Sequence, residues 1–296
     1  MRKIRFSVDG RNVLCYNFPM SNYDDIVGLS EKFGVNAEYK SNDFYPVFRK
    51  RTEGKKLMLL ADENTAVYAE AFAEGLRGKG REAFLCVIPE KEPVADEKTC
   101  AFVAERLKGF GYVLAVGAGT LNDLAKYTGF HAGVKCGVLA TAASMDGFTS
   151  GVAPLIKKGF KITENAQTVS DILIDLDILC AAPSIMTGAG AGDILAKFCC
   201  LTDWKMSHLL NGEAYNEEAV SLMRVALDKC VENIASIQKR GREGVDALMR
   251  ALVISGYAMV IAGNSRPASG AEHHMSHFLE MDFRRRGERI PLHGVK

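Results

Sequence analysis

From Lys55 onward, short apolar runs alternate with stretches whose apolar residues recur at helical spacing. The runs are KLMLLAD, AFLCVIP, YVLAVGAG and KCGVLATA, and the stretches between them include residues 65–77 and 99–108. A strand that reads as a continuous apolar run is buried on both faces, and a helix between two such strands makes them parallel members of one sheet. The pattern therefore predicts βαβ units around a parallel sheet.

The character of the chain changes after Ala182 and Pro183. Two more extended segments, GVAPLIKKGFKIT and SDILIDLDIL, precede this point. We predict an α/β nucleotide-binding domain with a parallel sheet over residues 1–182, of which 1–54 form an irregular lead-in with a short hairpin and a helix. An all-α domain is predicted over residues 183–296, because apolar residues keep helical spacing through 184–202, 217–238, 245–262 and 271–283.

Charge and cysteine content narrow the possible partners and the compartment. Since 37 basic residues face 36 acidic ones, no overall field attracts nucleic acid or an anionic membrane. The longest apolar stretch, residues 251–262, is shorter than the roughly 20 residues that span a bilayer, and the N-terminus lacks the apolar region of a signal peptide. We predict a cytoplasmic protein without nucleic-acid or membrane partners. The cysteines form no CxxC pair and are expected to be reduced core residues, five of them in or beside apolar runs: Cys86, Cys136, Cys180, Cys199 and Cys200.

Histidines cluster near the end of the chain. The segment SGAEHHMSH holds His273, His274 and His277, and His293 follows in PLHGVK. On a helix His273 and His277 share a face, as two ligands of one metal would. A catalytic site usually takes three protein ligands, and His293 and Asp193, the latter in the glycine-rich GAGAGDILAK, are the best further candidates. The alternative is that these histidines cap helices or lie on a solvated face; the clustering favours a metal.

A candidate nucleotide-binding turn lies in YVLAVGAGTLNDLAKY. An apolar strand enters a turn with Gly117 and Gly119 and then a helix, whose free N–H groups would stabilise a pyrophosphate. Asn122 stands where the third glycine of the usual fingerprint would be, and a tight turn without a ligand explains the glycines nearly as well. Asp62, at the end of the first apolar run KLMLLAD, is either a helix cap or an acceptor for a ribose hydroxyl.

The loop TAASMDGFTSG follows the next strand. It offers the hydroxyls of Thr141, Ser144, Thr149 and Ser150 and the carboxylate of Asp146. In an open α/β sheet, ligands bind at the carboxyl ends of the strands, where this loop would lie. Ordinary turn and cap chemistry favours the same residue types.

Four segments together resemble one family. VGAGTLNDLAKY, TAASMDGFTSG, TGAGAGDILAK and NSRPASGAEHHMSH followed by PLHG are similar to segments of the sn-glycerol-1-phosphate dehydrogenases. These belong with the iron-type alcohol dehydrogenases, glycerol dehydrogenases and 3-dehydroquinate synthases. The resemblance covers about residues 55–296. It implies a dehydroquinate synthase-like fold, with a nucleotide domain, a helical domain and an active site in the cleft between them.

The same resemblance assigns roles to residues. It implies a divalent metal (zinc, nickel or iron) bound by Asp193, His273 and His293, with Asp146 and His277 facing the substrate and His274 outside the site. Asp193, Asp146 and His277 are then the catalytic residues. NAD or NADP would be bound by Asp62, Gly117, Gly119, Thr120, Leu121, Asn122, Asp123, Thr141, Ala142, Ala143, Ser144 and Ser150.

The implied reaction is hydride transfer between NAD(P)H and dihydroxyacetone phosphate, which gives sn-glycerol 1-phosphate. The partner is then a small phosphorylated triose or glycerol, and a homo-oligomer, dimer or larger, is expected. A glycerol dehydrogenase acting on unphosphorylated polyol stays open and depends on whether basic groups such as Arg266 reach a phosphate. A dehydroquinate synthase-type lyase is a second alternative. Members of the family continue for several helices after HGVK, so the helical domain is expected to be incomplete, and a truncated non-catalytic nucleotide-binding protein is a third alternative.

Overall fold

The computed structural model describes residues 26–40 and 43–296 and, before them, the backbone of two strands, β1 (Arg2–Val8) and β2 (Arg11–Asn17). These two strands pair antiparallel along their whole length. The short hairpin predicted in the lead-in is therefore confirmed.

The main sheet has six strands, all parallel to their neighbours. Two of them, β4 and β6, have all six residues buried, as the apolar runs predict for strands covered on both faces. The spatial order is β3-β10-β7-β6-β4-β5, with bounds β3 (Asn36–Tyr39), β4 (Leu57–Asp62), β5 (Phe84–Ile88), β6 (Tyr112–Gly117), β7 (Lys135–Ala140) and β10 (Asp171–Ile174).

Helices cover both faces of this sheet. On one face, Phe48 and Phe72 pack on Leu59 and Leu114, and on the other Val103 and Leu124 belong to the larger apolar core. The first face is covered by α2 (Phe44–Arg51) and α3 (Ala66–Arg77); α4 (Glu97–Arg106) and α5 (Gly119–Ala132) lie on the second, and α1 (Ile26–Lys32) packs beside β3.

The direction of winding reverses at β4. Strand β5 pairs with one side of β4, and β6, which follows β5 in the chain, pairs with the other side. Such a reversal opens a crevice at the carboxyl ends of the two central strands, which is where ligands of open α/β sheets bind. Asp62 and Gly117 end these two strands.

Beyond β7 the chain forms a separate antiparallel hairpin of β8 (Val152–Lys157) and β9 (Phe160–Asn165). The segment GVAPLIKKGFKIT, predicted as extended, thus supplies most of two strands, whereas SDILIDLDIL supplies β10 of the main sheet and then a helix. The remaining elements are helical: α6 (Leu176–Ala181), α7 (Ser184–Leu195), α8 (Lys197–Asn211), α9 (Glu217–Glu232), α10 (Ile234–Gln238), α11 (Arg242–Ala262), α12 (Ala271–Arg285) and a short 3₁₀ helix, His293–Val295.

Two predicted helices are each divided. The helix predicted over residues 184–202 is interrupted at Ala196, whose carbonyl oxygen accepts from Cys199 N (3.0 Å), three residues on, as well as from Cys200 N (3.3 Å). The helix predicted over 217–238 ends at Glu232 and resumes as α10. Apolar spacing continues through both interruptions, so the sequence pattern does not reveal them.

Two sequence-based expectations are wrong. The lead-in is not irregular throughout, because Asn36–Tyr39 forms the edge strand β3, paired with β10. That pairing joins segments more than 130 residues apart, which a local pattern cannot show. Cys199 is exposed, although Cys200 beside it is buried, since successive residues of a helix point in different directions.

Two helical stretches, Ser184–Asn211 and Arg242–Ala262, are long and apolar enough to cross a membrane by length and composition. In their most apolar windows 50% and 67% of the residues are buried inside the molecule. Core helices of soluble proteins have the same properties, so the finding is weak evidence for a membrane span. The expected absence of a membrane partner stays a prediction.

Candidate metal centre and nucleotide crevice

Three histidine rings converge at the end of the chain. His273 and His277 lie one turn apart on α12, with ring centroids 4.5 Å apart, and His293 approaches them from the short 3₁₀ helix, 4.4 Å from the His273 ring and 5.3 Å from the His277 ring. One ring nitrogen of each lies within 4.8 Å of the other two. The shared face predicted for His273 and His277 is present, while His274 is exposed to solvent.

The surroundings keep these three rings neutral. Burial lowers the pKa of His277 and His293 to about 3, and the ammonium of Lys161 adds to the shift. Burial also lowers the pKa of His273 to about 3, with the charges of His293 and Lys197 as further causes. A neutral imidazole keeps a nitrogen lone pair, which is the form that binds a metal, so this donor set fits a divalent cation.

A close backbone contact holds His293 against α7. A Cβ atom added at Gly192 would overlap the carbonyl oxygen of Gly294, and one added at Gly294 would overlap the carbonyl oxygen of Ala189. Two glycines therefore allow the residue after His293 to lie directly on the helix that carries Asp193.

Asp193 is bound in an ion-pair network. Its Oδ1 accepts from Lys197 Nζ (2.7 Å) and its Oδ2 from the backbone N–H of Asp146 (3.0 Å). Among the described residues, the group of donor atoms within 4.8 Å of one another contains the three histidines and not Asp193. The structure thus brings His273 and His293 together and has His277 as their nearest third donor.

Lys197, which the sequence analysis did not single out, is the centre of that network. Its side chain is fully buried, and Nζ lies 3.0 Å from Asp146 Oδ2 and 3.1 Å from the carbonyl oxygen of Ala268. Burial alone would lower its pKa, but the carboxylates of Asp146 and Asp193 raise it above the ordinary value. Ser255 also donates to Asp146 Oδ2 (2.8 Å). The spacing of four residues from Asp193 to Lys197 is the sequence signal that points to this pair.

Several of the predicted nucleotide residues lie at the carboxyl ends of β4, β6 and β7, in the strands or directly after them. The N–H of Thr141 donates to the carbonyl of Gly117 (3.1 Å), which joins the loops after β7 and β6. A Cβ atom at Gly117 would overlap the side chain of Leu121, so a larger residue there would have to displace that side chain. Asp62 Oδ1 accepts from the backbone N–H groups of Asn64 (3.0 Å) and Thr65 (2.9 Å). Asp62 was predicted to be either a helix cap or an acceptor for a ribose hydroxyl. In the structure its carboxylate caps the turn that leads into α3.

Several residues of the predicted cofactor set have buried side chains with structural contacts. Leu121 lies in the apolar core, and Asn122 is fully buried, with Nδ2 donating to the carbonyl of Gly147 (3.2 Å). Residues 141–144 are buried as well. Any contact that Leu121 makes with a dinucleotide would have to come from its backbone.

A second buried lysine ties down the loop that contains Asp146. Lys126 Nζ donates to the carbonyls of Gly147 (2.7 Å) and Val152 (2.6 Å) and to Ser150 Oγ (3.0 Å). It also lies 3.4 Å from Asp123 Oδ1, and burial raises the pKa of that carboxyl to about 6 in spite of this cation. Ser150 is therefore a loop anchor, and its cofactor role stays a prediction.

Comparison with known proteins shows which proteins this chain is similar to. The model of the family described as iron-containing alcohol dehydrogenase matches residues 37–183. The glycerol-1-phosphate dehydrogenase [NAD(P)+] of Halalkalibacterium halodurans is 41% identical over 243 residues, which are 80% of this chain and 61% of that protein. The enzyme of the same name from Bacillus licheniformis is 38% identical over 256 residues, 85% of this chain and 64% of that protein. Residues 37–183, just under half of the chain, are therefore similar to iron-containing alcohol dehydrogenases.

The resemblance to glycerol-1-phosphate dehydrogenases predicted from the sequence is confirmed. The chain spans about six tenths of the length of these curated relatives. Among solved structures, the archaeal Red Sea brine pool alcohol dehydrogenase ADH/D1 matches with a TM-score of 0.67 at 16% identity, over 88% of this chain and 70% of that one. Glycerol dehydrogenase from Schizosaccharomyces pombe matches with a TM-score of 0.66 at 18% identity, over 81% and 62%. These matches confirm the predicted α/β and helical fold.

Proposed function

We propose that this chain belongs to the iron-containing alcohol dehydrogenase family and is a metal-dependent dehydrogenase that interconverts dihydroxyacetone phosphate and sn-glycerol 1-phosphate with NAD(P)H. The observation that carries the proposal is the half-buried, neutral trio of His273, His277 and His293 in a chain 41% identical to a glycerol-1-phosphate dehydrogenase [NAD(P)+].

The residues divide into three tasks. A divalent metal bound by Asp193, His273 and His293 would supply a Lewis acid that polarises the ketone. Lys197 and the N–H of Asp146 fix the Asp193 carboxylate, as outer-shell partners orient metal ligands. His277, whose pKa is lowered by partial burial so that the ring is neutral, would donate a hydrogen bond from its ring N–H to the substrate. Asp146 would accept a hydrogen bond from a substrate hydroxyl.

The dinucleotide would lie across the crevice, with its pyrophosphate at the start of α5. The backbone around Gly117 and Gly119 can approach a phosphate closely, and the first N–H groups of the helix favour negative charge. The carboxylate of Asp62 would favour a ribose hydroxyl over a 2′-phosphate. Two imidazoles and a carboxylate suit zinc, nickel and iron alike. We further propose that the protein is located in the cytoplasm and forms a homo-oligomer.

The test is oxidation of NADH and NADPH by the 296-residue chain with dihydroxyacetone phosphate, before and after chelation and with zinc, nickel or iron restored. We expect turnover that is lost on chelation and returns with one of the metals. Phosphate release without net change in NADH would favour the lyase instead. If NADH binds but no turnover is seen with any of the three metals, the proposal would be contradicted, and a non-catalytic nucleotide-binding protein would be favoured.

A further inference from the structure

Two lysines converge on one carboxylate beside the histidine trio. Lys161 of β9 and Lys296 place their Nζ atoms 2.8 and 3.0 Å from the same oxygen, Oε2 of Glu280. The three side chains are largely withdrawn from water, with 16%, 2% and 12% of their surfaces exposed for Lys161, Lys296 and Glu280. Although burial raises the pKa of Glu280, the two ammonium groups lower it to about 2, so the carboxylate is ionised. The three side chains together therefore carry a net charge of about +1.

This positive charge faces the proposed active site. Glu280 follows His277 by three residues on α12, so both lie on the face that also carries His273. Lys161 reaches this face from β9, because its Nζ lies 2.8 Å from Oε2 of Glu280. The other lysine of the site, Lys197, is compensated by two carboxylates and adds no net positive charge.

The other basic candidates are already paired. Arg266, which the sequence analysis considered for the substrate phosphate, forms two hydrogen bonds with Glu213, Nε to Oε1 (2.7 Å) and Nη2 to Oε2 (2.5 Å). Lys157, on the same hairpin as Lys161, is paired with Glu164 (2.6 Å). Each of these cations has a carboxylate of its own, whereas Lys161 and Lys296 share one.

We propose that Lys161 and Lys296, held in place by Glu280, form the site that binds the phosphate group of the substrate. This inference rests on the proposed function, because it assigns the group that selects a phosphorylated triose over a free polyol. An ammonium has three N–H donors, so Lys161 can bind Glu280 and a phosphate oxygen together. A partly buried excess of positive charge is unfavourable until an anion compensates it, and a phosphate supplies that charge.

The inference is tested by titration calorimetry of the zinc-loaded chain with sn-glycerol 1-phosphate, glycerol and inorganic phosphate. The variants are Lys161→Met and, as a matched control on the same hairpin, Lys157→Met. We expect the wild type to prefer sn-glycerol 1-phosphate to glycerol. Loss of a charge-assisted contact should weaken binding of sn-glycerol 1-phosphate and phosphate to the Lys161 variant at least about tenfold and leave glycerol binding unchanged.

In the control variant and in Lys161→Arg, which keeps the charge, the preference should be retained. A Lys161→Met variant that binds sn-glycerol 1-phosphate as tightly as the wild type would overturn the phosphate site and leave the proposed function standing. A wild type that binds sn-glycerol 1-phosphate no better than glycerol would instead contradict the proposed function itself.

Discussion

At the scale of single residues, the third metal ligand is the open choice. The family resemblance assigns it to Asp193, whereas in the structure His277 is the donor nearest to His273 and His293. Both carboxylate oxygens of Asp193 accept hydrogen bonds, which hold the side chain in one orientation. A carboxylate that is already oriented is well suited to bind a metal. His277, in turn, has Glu280 and Lys161 beyond it, on the side where the substrate phosphate is proposed to bind. We therefore keep Asp193 as the ligand and His277 as a substrate contact.

This choice predicts different effects of two histidine substitutions on metal affinity. Since loss of an outer-shell partner already costs about 10–100-fold in affinity, loss of the ligand in His293→Ala should weaken zinc binding by about 100-fold or more. His277→Ala should keep zinc affinity within about threefold, well below that outer-shell cost, while turnover falls. Competition with a chromophoric chelator measures both, and His274→Ala, on the exposed face of the same helix, is the control. Equal losses in the His277 and His293 variants would show that the three histidines bind the metal.

At the scale of elements, α7 positions the centre through glycines that have different surroundings. Gly192 lies against the backbone of Gly294, and Gly190 against the carbonyl oxygen of Ala143 in the loop after β7. Gly188, one turn before Gly192 on the same helix, is exposed and has no neighbour within 4 Å of an added Cβ. The helix thus contacts the segment of His293 and the nucleotide loop at two points where only glycine fits.

Alanine at two of these positions should therefore have opposite effects. Gly192→Ala would push away the segment of His293, and because ligand placement sets metal affinity we expect zinc binding to weaken at least about tenfold. Gly188→Ala should keep zinc affinity and stabilise the fold by up to about 1 kcal/mol, the difference in helix propensity between glycine and alanine. Chelator competition and thermal melting check the pair. Unchanged zinc affinity in Gly192→Ala would show that the contact does not position His293.

At the scale of the whole molecule, one apolar core joins the sheet and the helices. Val113 and Val138 of the sheet belong to the same buried cluster as Met223 of α9 and Leu252 of α11. The boundary predicted at residue 182 marks the change from strands to helices, but no gap in the core accompanies it among the described residues. Because the two parts share this core, the proposed cofactor site and the proposed metal site would be held in a fixed relation.

The shared core predicts a single unfolding transition. Trp204, the one tryptophan of the sequence, is buried in α8 and reports on the helical part, while circular dichroism reports on all elements. We expect both signals to have the same midpoint in urea, because coincident transitions by different probes are the mark of cooperative unfolding. A tryptophan transition separated from the dichroism transition would mean that the helical part unfolds independently.

Features that depend on local spacing could be predicted from the sequence. Continuous apolar runs such as that of β6 specify strands buried on both faces, and helical spacing identifies α11 and α12. The i, i+4 relation puts His273 and His277 on one face because the helix repeats every 3.6 residues. The motifs around Gly117, Asp193 and the histidines were sufficient to indicate the resemblance to glycerol-1-phosphate dehydrogenases.

Contacts between distant elements could not be predicted in this way and are known from the folded structure. It brings His293 onto the helix of Asp193 through a contact between two glycines, and it carries Lys161 on a hairpin to Glu280, 119 residues further along the chain. It also joins β3 to β10 and places Lys197 between Asp146 and Asp193. Such contacts depend on the packing of side chains between elements, whereas periodicity specifies only the neighbours of a residue within its own helix or strand.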